Sequence, residues 1–332
     1  MESKVTIVVP IYNVEKYIAK CLKSLVNQSF KDIEIWAIDD GSPDNSAVIV
    51  KKFAQKDPRV KLIEKENGGY GSVLEFAANN ISSEYFLICD PDDWLNEDAV
   101  EILLSKAEKG DLDIVVADKF NVYIGSEEKK YIKTFRSNIK PNIIYTDKKK
   151  IQEFSLGMVS PHAKLYRTKL AKGMRLPHKV SYTDYVLYLL CLSKASKVEY
   201  INVPLAYYLI DRIGNTATDK KVDVVEAYLK GWNAVLDQLE NPQLVGVILF
   251  REYLQLKFII SEYSKRTNNL FMDKYYDQLI KSCSRLSRYK HQIYPNCKAM
   301  FTKKDKLIFG FLTNKITQKY FLRKYINYKR LH

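Results

Sequence analysis

Leu87-Ile88-Cys89-Asp90-Pro91-Asp92-Asp93-Trp94 decides how the rest of this chain is read. Tyr85 to Cys89 is a short apolar run with the composition of a buried strand. It delivers three carboxylates, Asp90, Asp92 and Asp93, to the strand's C-terminal end, where open α/β sheets bind ligands. Pro91 stops the strand and fixes a turn. Crowded carboxylates repel one another unless a cation sits among them, so an oxygen-seeking Mg²⁺ or Mn²⁺ is the natural partner. The simpler alternative is a solvated acidic turn ahead of the next helix, with Asn96 as that helix's cap.

Outward from this turn the pattern is strand and helix in alternation. Residues 4–10 are β-branched and alternating, and predict a first strand. Asn13 is placed to cap a helix that buries Tyr17, Ile18, Cys21, Leu22 and Leu25. Residues 33–39 predict a second strand ending in Asp39-Asp40-Gly41-Ser42, and Asp44 starts a second helix. Residues 60–64 predict a third strand, and Asn67-Gly68-Gly69-Tyr70-Gly71-Ser72 leads into a third helix. The fourth strand is 85–90, followed by a helix over 97–109 and a fifth strand over 113–118. Short connections predict a parallel sheet covered on both faces. The polar clusters all follow strands, so they collect at one edge of one sheet.

Beyond residue 120 the pattern weakens. Residues 121–150 suggest a hairpin or mobile loop, 163–166 a strand, and 182–193 a helix. Residues 198–209 suggest two short strands broken by Pro204, and everything from about 219 predicts helix.

Composition narrows the function classes. With 46% hydrophobic residues in 332, a large core is affordable. Five scattered cysteines and four dispersed histidines fit neither a zinc site nor a disulfide framework, and point to a reducing cytosol. The apolar run at 5–11 is too short for a signal peptide, and 244–260 carries Arg251, Glu252 and Lys257, so it predicts a helix rather than a membrane span. Of the net charge of +14, +13 lies in residues 281–332. A basic tail on a near-neutral body suggests a polyanionic surface, either lipid headgroups or nucleic acid.

Together these motifs resemble glycosyltransferase family 2, over roughly residues 4–218. The resemblance rests on Val8-Val9-Pro10-Ile11-Tyr12-Asn13, Asp39-Asp40-Gly41-Ser42 with Asp44, Asn67-Gly68-Gly69 and the DxD-type Asp90-Pro91-Asp92-Asp93. Lys164-Leu165-Tyr166 and the stretch from Tyr207-Tyr208 to Thr216 match later segments. It implies a GT-A fold: an α/β, mostly parallel sheet with helices on both faces. The implied domains are a catalytic one over 1–218, with a nucleotide-sugar half to about 118 and an acceptor half from about 119, and a helical, basic domain over 219–332.

The resemblance also implies roles. Pro10, Tyr12 and Asp40 line the nucleobase and ribose pocket, Asp90 contacts the ribose, and Asp92 ligates Mn²⁺ or Mg²⁺. Asn67, Gly68 and Gly69 form the turn that lets backbone approach a phosphate or sugar. Arg212 falls where the family often has a basic residue near the diphosphate. Asp184, in Tyr182-Thr183-Asp184-Tyr185, falls at the base that deprotonates the acceptor hydroxyl. The family often has Glu where Thr183 stands, so any help from that Glu is missing here. His162 and His178 flank the region without a secure match to a metal-binding position. Thr183 or Asp184 as a plain helix cap is the alternative for this stretch.

The implied reaction is inverting transfer of a sugar, most simply from a UDP-sugar, to a hydroxyl of a glycan, lipid-linked or cell-surface polymer acceptor. The tail from 306, with Leu307, Ile308, Phe311, Leu312, Ile316, Phe321, Leu322, Tyr325 and Ile326 among lysines and arginines, suits a helix in an anionic membrane interface. It equally suits a helix packed on the protein. The expected location is cytoplasmic, peripheral on the inner membrane face. Two rival readings are a sugar-1-phosphate nucleotidyltransferase, which lacks support because 11–16 has no glycine, and a nucleic-acid-binding protein, for which no motif speaks.

Overall fold

The computed structural model describes residues 3–136, 138–212, 223–266 and 271–331. The chain divides into two units, Met1–Val222 and Asp223–His332. The division expected at 218/219 lies among 213–222, outside the described residues, as does Thr216.

The first unit is built outward from β1 (Val5–Ile11), in which every residue is buried. Such a continuous apolar run is what a strand covered on both faces needs. α1 (Ile18–Val26) buries Ile18, Cys21, Leu22 and Leu25, a helical stripe. Each such side chain contributes ~1.5–3 kcal/mol by leaving water. β2 (Ile33–Asp39), α2 (Ser46–Ala54), β3 (Val60–Glu64), α3 (Tyr70–Asn80) and β4 (Tyr85–Ile88) follow in the expected alternation. Then come β5 (Trp94–Leu95), α4 (Ala99–Gly110), β6 (Ile114–Tyr123), β7 (Lys129–Ile132), β8 (Ile144–Tyr145), α5 (Lys148–Glu153), β9 (Lys164–Arg167), α6 (Asp184–Lys194) and β10 (Val198–Ile210).

The sheet runs β3-β2-β1-β4-β9-β6-β10-β5, with β7 beside β6 and β8 beside β10. β3, β2, β1 and β4 are mutually parallel, as are β6 and β10. β9 enters antiparallel between β4 and β6. The expected GT-A architecture, a mostly parallel sheet wrapped by helices, is therefore the one observed.

Several local expectations are corrected. Asn13 does not cap α1: it takes a left-handed conformation with φ 54°, and the helix starts five residues later. Asn96 does not cap α4: its side chain donates to the Pro204 carbonyl at 2.9 Å, tying β5 to β10. Residues 198–210 form one strand rather than two, with its register against β6 shifted on either side of Pro204. Proline lacks an N–H, and the bulge absorbs that loss without ending the strand. The expected hairpin after 120 exists as β6–β7, pinned by Tyr131 and Thr134 on the Asp118 carboxylate. The charge run at 148–150 opens α5, with Asp147 accepting from the Lys150 amide at 2.9 Å as its cap.

The second unit is helical: α7 (Val224–Gln238), α8 (Gly246–Ser264), α9 (Lys274–Ser287), α10 (Lys290–Cys297), α11 (Lys303–Leu312) and α12 (Gln318–Leu331). Trp232 is fully buried and donates to the Glu252 carbonyl at 2.9 Å, which joins α7 to α8. The tail's apolar residues split. Ile308, Leu312, Leu322, Tyr325 and Ile326 are buried in this unit, while Leu307, Phe311 and Ile316 face solvent. No described helix is long and apolar enough to cross a membrane.

Candidate active site

The acidic turn leaves β4 and crosses to β5, and its three carboxylates take different partners. Tyr70 OH donates to Asp90 Oδ1 at 2.8 Å. Arg212 Nε donates to Asp92, and the guanidinium lies 5.5 Å from the ring centroid of Tyr17. Asp93 is bonded on both oxygens, by the Leu209 amide at 2.8 Å and by His162 Nε2 at 2.7 Å. Burial, and then the neighbouring Asp92 carboxylate, push Asp90 up to about 7. Burial, with Asp92 and Asp90, likewise raises Asp93 well above the carboxylate range. Carboxyls held up in this way are a donor set that a divalent cation relieves. One ligand atom each of Asp90, Asp93 and His162 lies within 4.8 Å of the others, and the clustered carboxylate oxygens of this turn are the hard donors that Mg²⁺ or Mn²⁺ takes, so the chemistry present fits such an ion.

Asp184 opens α6. Thr183 precedes it without capping the helix, and its hydroxyl is buried with no partner among the described residues. Burial pushes the Asp184 carboxyl up to about 6, against the pull of Lys164 and Lys119. Lys164 is itself buried, which pushes it down to about 7. The Tyr70 hydroxyl is raised by burial and then by the fields of Asp90, Asp184 and Asp92. The acidic turn and Asp184, far apart in sequence, thus converge around one tyrosine.

The glycine turn is engaged by protein on both sides. The Asp40 carboxylate accepts from the Gly68 and Gly69 amides at 3.0 and 2.7 Å and from Lys65 Nζ at 2.6 Å. Asn67 Nδ2 donates to the Asp40 carbonyl at 2.8 Å. Gly69 adopts φ 83°, and a Cβ there would meet the Lys179 backbone at 2.8 Å. The Lys179 amide donates to the Gly68 carbonyl at 2.7 Å, and Gly71 packs against the Pro177 carbonyl. The close backbone approach that these glycines permit is thus made by the loop leading to Asp184. Pro10 is buried at the end of β1, and Tyr12 just beyond it is 52% exposed. His178 lies at the surface, 3.5 Å from Glu75 and apart from the acidic turn's partners.

Backbone strain gathers at this edge. Asn13, Ala163, Lys179, Tyr182 and Asp211 all have positive φ. Each costs ~1–2 kcal/mol and persists only where the surroundings enforce it, as at functional sites. Sequence reasoning had counted Asp93 among the turn's three carboxylates without giving it a role of its own, had not singled out Lys119, and had left His162 unassigned. A lysine directly after the apolar run Ile114-Val115-Val116-Ala117 and Asp118 was the available signal for Lys119.

The family described as Glycosyl transferase family 2 matches residues 6–174, and the chain belongs to it. Glycosyltransferase GlyA of Streptococcus pneumoniae is 34% identical over 268 residues, which is 77% of this chain. The chain spans 38% of GlyA's own length. Among solved structures, S. aureus TarS 1–349 in complex with UDP-GlcNAc superposes with a TM-score of 0.73 at 20% identity, covering 99% of this chain and 92% of that one. The mannosyltransferase PcManGT from Pyrobaculum calidifontis, in complex with GDP-Man and Mn²⁺, gives 0.54 at 14% identity, covering 100% and 88%.

Proposed function

We propose that this chain is a metal-dependent, inverting glycosyltransferase that moves a sugar from a nucleotide-sugar, by default a UDP-sugar, to a hydroxyl of a glycan or lipid-linked polymer. The observation that carries the reading is the buried acidic turn, with Asp90 held by Tyr70, Asp92 by Arg212 and Asp93 by Leu209 and His162, together with the buried Asp184 at the start of α6. One group of carboxylates suits a cation and the other suits a base. Asp92 is the protein's ligand to Mn²⁺ or Mg²⁺, with Asp90 toward the ribose. Asp93 already has both oxygens bonded, which favours Asp92 over it. The ion neutralises the charge that develops on the leaving diphosphate.

Arg212 is the diphosphate's second cation. It rests on Asp92 here, within reach of the same position. Asp184 takes the acceptor's proton. A carboxyl raised to about 6 is a stronger base than an ordinary one and is still mostly ionised at neutral pH. Pro10, Tyr12 and Asp40 line the base and ribose pocket, and Asp40 also holds the turn of Asn67, Gly68 and Gly69 beside the donor. TarS with UDP-GlcNAc and PcManGT with GDP-Man and Mn²⁺ support the donor class and the ion by likeness.

The exposed Leu307, Phe311 and Ile316 among basic residues support peripheral binding to an anionic membrane, on the cytoplasmic side, where lipid-linked acceptors would be reached. The test of the function is a nucleotide-sugar panel with Mn²⁺, read by nucleotide release with and without EDTA. One donor should be turned over in a metal-dependent manner. Metal-independent release from that donor, or no release from any, would overturn the reading.

A further inference from the structure

Between β6, β9 and the acidic turn runs a line of three buried side chains, Lys119, His162 and Asp93. Lys119 Nζ lies 3.1 Å from His162 Nδ1, and His162 Nε2 lies 2.7 Å from Asp93 Oδ2. The three residues are 7%, 8% and 2% exposed. Lys119 also reaches Ser160 Oγ at 3.4 Å and stands 4.3 Å over the Tyr208 ring. The Tyr208 ring flanks the imidazole at 4.7 Å, and Ala163, next to His162, is held at φ 50°. The imidazole is therefore boxed in from three directions.

The lysine end decides the state of the imidazole. An ammonium has protons to give and no lone pair, so His162 Nδ1 must accept. A neutral imidazole has a single N–H, so Nε2 carries the hydrogen and donates to Asp93 Oδ2. The other tautomer would set an N–H against the ammonium.

We propose that Lys119 is a positioning residue: it locks His162 in the Nε2–H tautomer, and His162 in turn holds the Asp93 carboxylate beside Asp92. Both ring nitrogens are occupied by protein, so His162 stands behind a cation at this turn rather than on it. The grouping of Asp90, Asp93 and His162 is then a carboxylate pair with a histidine support. The fixed orientation of Asp93, anchored to Leu209 on β10, determines where the turn presents Asp92. The catalytic consequence rests on the metal role proposed for Asp92; the tautomer does not.

The experiment uses the full chain labelled with ¹⁵N-histidine, without metal or donor, and a long-range ¹H–¹⁵N spectrum. The chain has four histidines, and His162→Gln identifies the relevant signals. The wild type should show a neutral His162 with hydrogen on Nε2 and a bare Nδ1. Lys119→Met should shift the Nδ1 resonance and mix the tautomers, while Lys119→Arg, which keeps a donor, should preserve the wild-type pattern. With the donor found by the panel, Lys119→Met should lower Mn²⁺-dependent turnover about 10–100-fold, and Lys119→Arg should restore most of it.

A hydrogen on Nδ1 in the wild type, or an unchanged spectrum in Lys119→Met, overturns the proposal. A purely structural lysine would lower the melting temperature and leave the tautomer alone, and that result also overturns it. If the spectra behave as expected but no metal-dependent transfer exists, the tautomer lock stands and only the function reading fails. Should Lys119→Met not fold, the wild-type spectrum alone decides.

Discussion

Asp184→Asn should move turnover and stability in opposite directions. Burial raises this carboxyl from its ordinary 3.8 to about 6. That difference disfavours the ionised form in the folded state by ~3 kcal/mol. Between about pH 4 and pH 6 the native protein therefore binds more protons than the unfolded chain, and stability falls as pH rises through that window. Above it the full cost remains. Asparagine cannot ionise, so at about pH 8 the variant should gain up to ~3 kcal/mol, or roughly 5–10 °C in melting temperature for a chain of this size. At about pH 4 the gain should vanish. Turnover should fall about 10²–10⁴-fold, with donor affinity nearly unchanged, because the base touches the acceptor. The assays are thermal melts at the two pH values and nucleotide release at saturating donor. A variant that melts lower than wild type at about pH 8 would refute the desolvation argument. One that keeps wild-type turnover would refute the base.

Other outcomes follow from the same geometry. Asp92→Ala should abolish EDTA-sensitive transfer and weaken Mn²⁺-dependent nucleotide binding while the fold persists; a circular-dichroism melt beside a nucleotide titration checks both. Wild-type turnover should rise with pH through a midpoint near 6 as Asp184 ionises, and Lys164→Met, which removes a charge that holds Asp184 down, should move that midpoint upward; a pH–rate profile that does not move counts against the pairing. Full-length protein should co-sediment with anionic vesicles in a salt-sensitive way, through basic side chains worth roughly 1 kcal/mol each near the surface. Replacing Leu307 and Ile316 with serine should weaken this without lowering the melting temperature, since both face solvent. Truncation before 303 should instead lower it, because Ile308, Leu312, Leu322 and Ile326 are core.

The first half of the sheet was legible because its signals are local. β1 to β4 each carry an apolar run, a polar end and a helix with a buried stripe, and no distant partner is needed to recognise them. The Asp90–Asp93 turn was legible for the same reason. What escaped was long-range. Nothing near Lys164 announces that β9 will run antiparallel between β4 and β6, yet that insertion brings His162 to Asp93, 69 residues earlier in the chain. Asn96 looked like a helix cap because its sequence neighbours are helical; its real partner, the Pro204 carbonyl, lies 108 residues away. Pro204 looked like a strand break because a lost N–H is a local fact, whereas the bulge that tolerates it is a property of the pairing with β6. The tail's apolar residues gave one stripe in sequence, and only the packing of α11 and α12 divides them into buried and exposed sets.

The seam between the glycine turn and Pro177–Lys179 acts as a ruler. One end of the segment to Asp184 is fixed where the Lys179 amide meets the Gly68 carbonyl, and the other is fixed where α6 begins. Adding or removing one residue between them would displace Asp184 by up to ~3.5 Å, more than a proton transfer by the proposed base could absorb. The number of residues between them is therefore constrained, and so is the glycine at 71, where any β-carbon would strike the Pro177 carbonyl. On the roles proposed above, the distance from the sugar donor to the group that activates its acceptor would be set by a count of residues.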